Sequence, residues 1–190
     1  MTSPPLPGRL VVIVGNPRAG SRTHRLADQA ARAVGTAVGW PAEPELIDLA
    51  ALAPLLLAAE RAAAVEAAVQ LALAADVLVV ASPTYKGTYT GLLKVFLDQL
   101  GTGSLAGTVA LPILLMGQPQ HALAVEVHLR PLLVELGATV PTPGLAALEA
   151  DLGRVDDVLA AWAAKVGPTV RAALLARADG AARAALPTVG

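Results

Sequence analysis

The chain has 190 residues, 55% hydrophobic and 15% charged, which is enough for one substantial α/β domain and short for two. Fourteen Lys and Arg against fifteen Asp and Glu leave a formal charge of -1, so no global field draws the protein to nucleic acid or to an anionic membrane. The absence of cysteine excludes disulfides, thiolate nucleophiles and thiolate-held zinc or iron–sulfur clusters, and three scattered His suggest no metal site.

Pro54, Asp76 and Gly117 interrupt the apolar runs well before the roughly 20 residues of a bilayer span. Residues 1–9 lack a basic-then-apolar leader, so a cytoplasmic protein is expected. A tail over 1–8, a single domain over 9–178 and a frayed tail over 179–190 are the expected organisation.

The β-branched run Leu10 to Val14 reads as a strand buried on both faces. Ser21 to Val34 carries apolar residues at helical spacing, with Gly35 as a stop. Glu45 to Leu49 is a weaker strand, and Ala59 to Leu73 is a helix with Val65, Val69 and Leu73 four apart. Val77 to Ala81 is the second strong strand. Thr90 to Leu100 is a helix, with Thr90 a candidate cap, and Thr108 to Leu115 is a strand. His121 to Leu136 is a helix stopped by Gly137; Gly144 to Leu148 is a feeble strand and Val155 to Val166 a helix. Gly167-Pro168 is expected to break that helix, with Thr169 to Arg177 resuming behind the proline. Five alternating β and α units imply a parallel five-stranded sheet in a three-layer α/β/α sandwich. The flavodoxin-like doubly wound order 2-1-3-4-5 fits the strand count.

In that order the chain reverses beside the first strand, so the loops after strands 1 and 3 flank a crevice. The first loop, Gly15 to Thr23, leads into a helix whose free N–H groups and dipole favour an anion. Asn16, Ser21 and Thr23 add neutral donors and Arg18 a charge. Compared with GxxxxGK[ST], Ser21 replaces the lysine and Arg22 the magnesium-binding hydroxyl, so a mononucleotide phosphate without metal fits better than ATP. The loop also reads as an ordinary serine-capped turn. The second loop, Ser82 to Gly91, holds two of the five aromatics, Tyr85 and Tyr89, beside glycines that admit close approach of a flat ring. Tyr89 equally suits the core.

The stretch GNPRAGSRT (15–23) and the stretch SPTYKGTYTGLLKVFLD (82–98) resemble the NAD(P)H-dependent FMN reductases over about residues 9 to 150. Within that family the chain looks most similar to reductases that supply reduced FMN to two-component sulfonate monooxygenases, because Lys86 follows Tyr85 and His121 to Glu126 opens the fourth long helix. The resemblance implies that Asn16, Arg18, Ser21 and Thr23 meet the FMN phosphate, with Asn16 replacing a common serine, and that Arg22 beside them is also a cofactor-binding residue. It implies that Pro83, Thr84, Tyr85, Lys86 and Gly87 run beside the isoalloxazine, with backbone N–H groups near its reducible edge. Gly117, Gln118, Pro119 and His121 would edge the ring from the loop after strand 4. FMN and NADPH or NADH are thus the implied ligands, a flavin-dependent monooxygenase the implied partner, and no protein residue is required as a catalytic group in hydride transfer. Arg22, His24 and Arg25 are either a site for the 2'-phosphate of NADPH or a solvated helix face.

In the alkanesulfonate-type members a tyrosine on the fourth helix accompanies a π-bulge at a tetramer interface, and Glu126-Val127-His128 lacks it. Pro131 nevertheless cannot donate to the Val127 carbonyl, so a kink or π-bulge near Val127 is expected, with His128 beside a subunit interface or simply exposed. The apolar helices are broad enough for a homodimer or homotetramer. Three alternatives stay open: a reductase of quinones or azo compounds with tightly bound FMN; a flavodoxin-like electron carrier, which the charge of -1 disfavours; and a regulatory or structural protein that kept the fold and lost catalysis.

Overall fold

The computed structural model describes residues 8–40 and 43–184, with side chains described as far as residue 177. Five strands form one sheet: β1 (Leu10–Val14), β2 (Glu45–Asp48), β3 (Val77–Pro83), β4 (Val109–Met116) and β5 (Leu145–Leu148). Their order is β2-β1-β3-β4-β5 and every pairing is parallel, as the alternation of elements requires. All residues of β1, β3 and β4 are buried, because helices cover both faces of the sheet.

Strand alternation divides the core in two. Leu10, Val12 and Val14 point to the face covered by α1 (Arg22–Val38) and α6 (Val155–Ala184), whereas Val11 and Ile13 point to the opposite cluster. That second face is covered by α3 (Ala63–Leu73), α4 (Gly91–Leu97), α5 (Arg130–Glu135) and the turn preceding α5. A short helix, α2 (Leu49–Leu52), follows β2 directly, its first turn capped by Asp48 through Ala50 N–H at 3.1 Å. Residue 49, expected to close the second strand, is therefore helical.

Two expected helix breaks are overruled by packing. Gly35 lies buried inside α1, which runs on to Val38 and is capped by Gly39 with φ 75°. The Gly39 and Trp40 N–H groups turn back onto the Thr36 and Gly35 carbonyls, satisfying the helix end. Likewise α6 runs unbroken through Gly167 and Pro168 to Ala184. A Cβ on Gly167 would sit 3.0 Å from the Ala37 Cβ, so this glycine is where α6 comes against α1. Val166 and Val170, fully buried on either side, and the Arg171 guanidinium on the Val38 carbonyl at 2.6 Å hold the helix where Pro168 withdraws a donor. The helical span includes residues 179–184 of the expected frayed tail; residues 185–190 and most of the expected 1–8 tail lie outside the described residues. One helical stretch, Glu149–Arg177, is long and apolar enough by composition to cross a membrane, but Leu159, Trp162, Val166 and Val170 spend that apolarity inside the core.

The long helix expected over 121–136 is divided into a 3-10 turn (Pro119–His121), a π-helical turn (Val125–Leu129) and α5. The Arg130 N–H reaches back five residues to the Val125 carbonyl, and Pro131 follows at once. This bears out the π-bulge expected from the proline. Glu126 and Arg130 pair across the turn; Arg130 also donates to the Val140 and Thr142 carbonyls at 2.6 Å each, and Glu126 accepts from Gly144 N–H at 2.6 Å. The irregular turn is thus tied to the chain entering β5. The Arg130 hydrogen bond, helped by the Gly144 N–H and opposed by partial burial, holds the Glu126 carboxyl below its ordinary range.

Candidate functional site

At the carboxyl ends of β1 and β3 the two loops lean on each other. Gly15 N–H donates to the Ala81 carbonyl at 2.7 Å, and the Gly15 carbonyl accepts from the Thr90 hydroxyl at 2.5 Å. Thr90 Oγ1 also accepts from Leu93 N–H at 3.1 Å, capping α4, while the Thr90 N–H donates to Ser82 Oγ at 3.0 Å. Thr90 therefore locks both loops to one helix start. A Cβ on Gly15 would lie 2.6 Å from the Leu93 Cβ, so only glycine allows α4 this close.

Ser21 caps α1 by accepting from His24 N–H at 3.2 Å, which leaves Arg22 and Thr23 N–H without intrahelical carbonyls. Gly20, with φ 61°, makes the turn into the helix, and a Cβ there would meet nothing within 4 Å. Asn16 and Thr23 are buried and engage each other, Asn16 Nδ2 donating to Thr23 Oγ1 at 3.1 Å. Asn16 Oδ1 accepts from Arg18 N–H at 2.9 Å. These two side chains thus set the shape of the loop, and Arg18 and Arg25 stand exposed with no carboxylate in pairing distance among the described residues. Arg22 instead pairs with Glu149 at 2.9 Å, and His24 Nδ1 meets Asp48 at 3.3 Å. Of the three basic residues considered for a second phosphate, only Arg25 is unpaired among the described residues.

The facing loop is a two-residue hairpin. Tyr85 and Thr88 exchange N–H···O bonds of 2.8 and 3.3 Å around Lys86 (φ 53°) and Gly87 (φ 86°), the left-handed pair such a turn requires. Pro83 has no N–H, and the Thr84 N–H is spent on the Leu115 carbonyl at 2.8 Å. Among the described residues, the Lys86 and Gly87 N–H groups donate to no protein acceptor, so within Pro83 to Gly87 these two are the N–H groups left for a ligand. Tyr85 is 43% exposed, whereas Tyr89 packs against the core. Thr84 Oγ1 is buried without a partner.

Between the loops lies a cleft of about 560 Å³. The first loop and the start of α1 line it with Asn16, Arg18, Ser21, Arg22, Thr23 and Arg25, and the end of β3 and the hairpin line it with Pro83 and Tyr85. Leu115 and Glu149 complete the wall; neither was singled out from the sequence. Leu115 looked like ordinary strand core, and Glu149 lies beyond the weakest strand, so its only signal was a carboxylate at a strand's carboxyl end. Gly117, Gln118, Pro119 and His121 do not line this cleft, and neither do Thr84, Lys86 and Gly87. β4 continues to Met116, and the turn that follows it is largely exposed.

The family model described as NADPH-dependent FMN reductase matches residues 9–153. The chain is 39% identical over 115 residues to "NADH-dependent FMN reductase SfnF" of Pseudomonas fluorescens (strain Pf0-1), spanning 58% of this chain and 62% of that protein. It is 35% identical over 153 residues to "FMN reductase (NADPH)" of Pseudomonas aeruginosa, spanning 80% and 81%. The structure of the apo form of the NADH:FMN oxidoreductase EMOB superposes with a TM-score of 0.77 and 33% identity, covering 87% of this chain and 89% of that one. The phosphate-style loop, the tyrosine hairpin across from it and this agreement over most of the chain place the protein in the NADPH-dependent FMN reductase family.

Proposed function

We propose that the protein passes hydride from NADH or NADPH to FMN and delivers the reduced flavin to a flavin-dependent monooxygenase. One observation carries the reading: a single cleft joins a capped helix N-terminus, with Arg18 and Arg25 unpaired among the described residues, to an exposed tyrosine on a hairpin. The residues present fit FMN. Arg18, the Ser21 hydroxyl and the N–H groups of Arg22 and Thr23 form a donor set suited to a phosphate. The open space above Gly20 and Gly87 and the exposed face of Tyr85 suit a flat ring, and Lys86 and Gly87 offer N–H groups to its polar edge.

FMN, when bound, supplies the hydride-accepting ring nitrogen, and the nicotinamide supplies the hydride with its electron pair. The chain's own residues hold and orient. Thr90 keeps the two loops at one spacing, Asn16 and Thr23 hold the anion loop in shape, and the hairpin fixes where Tyr85 stands. No side chain is required to take or give a proton in that step. The relatives' names divide between NADH and NADPH, which supports either donor for this chain. Delivery to a monooxygenase rests on the resemblance to sulfonate-system reductases. Exposed Leu123 just before the π-turn, Val127 on it and Val134 on α5 support assembly into dimers or tetramers through that side, with His128 also exposed there.

Visible absorbance of the purified protein, followed by NADH and NADPH oxidation with and without added FMN, tests the reading. A colourless protein active only with added FMN is expected. A yellow protein active without it would favour a quinone or azo reductase, and no nicotinamide oxidation in either condition would leave the carrier reading.

A further inference from the structure

We propose that Glu149 is a specificity-determining residue that competes with flavin phosphate for Arg22, lowering the cleft's affinity for the phosphorylated flavin and speeding its release. The inference rests on the reading of the cleft as an FMN site. Among the charged residues of the cleft wall, Arg18, Arg22 and Arg25 are cations and Glu149 is the one carboxylate. Glu149 opens the 3-10 turn Glu149–Arg154 that follows β5, and its Oε1 lies 2.9 Å from Arg22 Nη2. Asp151, the other acid of that turn, pairs with Arg154 at 3.1 Å. Glu149 is therefore the acid this turn gives to the cleft.

Arg22 immediately follows the capping Ser21, so its side chain starts from the helix end that offers free N–H groups. A site selected only for tight phosphate binding gains nothing from a carboxylate there. The pair occupies part of the Arg22 fork before any ligand arrives. An entering phosphate must displace Glu149 from Arg22 or accept a like charge beside it, and either lowers affinity. A departing phosphate returns Arg22 to Glu149, which acts as a built-in competitor. The effect falls on the phosphate and not on the ring, so it separates FMN from riboflavin. It also suits an enzyme whose flavin must leave after each turnover.

The test measures dissociation constants and dissociation rates of FMN and riboflavin, by flavin fluorescence, for the wild-type chain, Glu149→Gln and Glu149→Asp. Glu149→Gln keeps the side-chain shape and removes the charge; it is expected to tighten FMN by about fivefold, mainly through slower release, with riboflavin little changed. Glu149→Asp, which keeps the charge, is expected to stay near wild type. Unchanged or weaker FMN binding by Glu149→Gln, or an aspartate variant that behaves like the glutamine one, overturns the proposal and leaves Glu149 as a strut between β5 and α1. Wild-type protein that binds neither flavin refutes the FMN reading itself, a result distinct from either outcome.

Discussion

Arg18 and Tyr85 line the same cleft, and on the proposed reading they divide the recognition of a flavin, Arg18 taking the phosphate and Tyr85 the ring. Arg18 is unpaired among the described residues, so its charge is available to a phosphate. Arg18→Ala is expected to weaken FMN by about tenfold with little effect on riboflavin, since a charge-assisted contact is worth roughly 1.5–3 kcal/mol. Tyr85→Ala is expected to weaken both flavins alike, by about fivefold, because ring contact is what it removes. Titration of both ligands against both variants checks the division, and equal losses for Arg18→Ala would contradict a phosphate role. Gly15 is a different kind of residue. With the Leu93 Cβ 2.6 Å from where an alanine Cβ would be, Gly15→Ala must push α4 outward and strain the Thr90 lock. A stability loss of about 1–3 kcal/mol in urea denaturation is expected, the range for overpacking a buried site.

Among the elements, the π-turn and α5 carry the clearest electrostatic consequence. Glu126 is held below its ordinary range, first by the Arg130 hydrogen bond and then by Gly144 N–H, against the opposing effect of burial. A carboxylate depressed in the folded state adds stability that is present above its unfolded value and is lost as pH falls through the lower folded value. Glu126→Gln is therefore expected to destabilise the chain at neutral pH, and the gap from wild type should close as the medium is acidified below the ordinary carboxylate range. Urea denaturation of both proteins along a pH series reads this directly, and a gap constant with pH would mean that the pair contributes through packing. The proline cue was legible in the chain because Pro131 removes one identifiable donor. The partners that hold the resulting turn were not legible: Val140, Thr142 and Gly144 belong to a different stretch, and only the fold brings their backbone to Glu126 and Arg130.

For the whole molecule, the sheet order makes the site and the helices make the surface. Leu123 is 70% exposed, Val127 56% and Val134 54%, on a face that follows the irregular turn into α5. If that face joins subunits, the wild-type chain sediments as a dimer or tetramer and Val127→Asp as a smaller species, since a buried unpaired charge is costly at an interface. Wild-type protein that sediments as a monomer would remove the interface. The opposite face is already closed: α6 lies along α1, with Gly167 against Ala37 and Arg171 on the Val38 carbonyl.

The strands and the two facing loops were readable along the chain, because fully buried strands and a capped helix start need particular residue types within a few positions, and the strand order followed from the number of alternating units. At β1 the signal is the uninterrupted apolar run from Leu10 to Val14, ending in Gly15, which announces a strand and its loop together. Which helix breaks are real was settled by packing alone. Gly35, Gly167 and Pro168 disfavour a helix interior by roughly 1 kcal/mol for each glycine and 3 kcal/mol for proline, yet burial against the sheet or the facing helix outweighs that local cost. Packing also chose the partners inside the site. Asn16 turned inward to Thr23, and Glu149 arrived at Arg22 from the far end of the sheet. No local pattern encodes an ion pair between the first helix and the last strand's end, because its energy exists only once the sheet has set the distance.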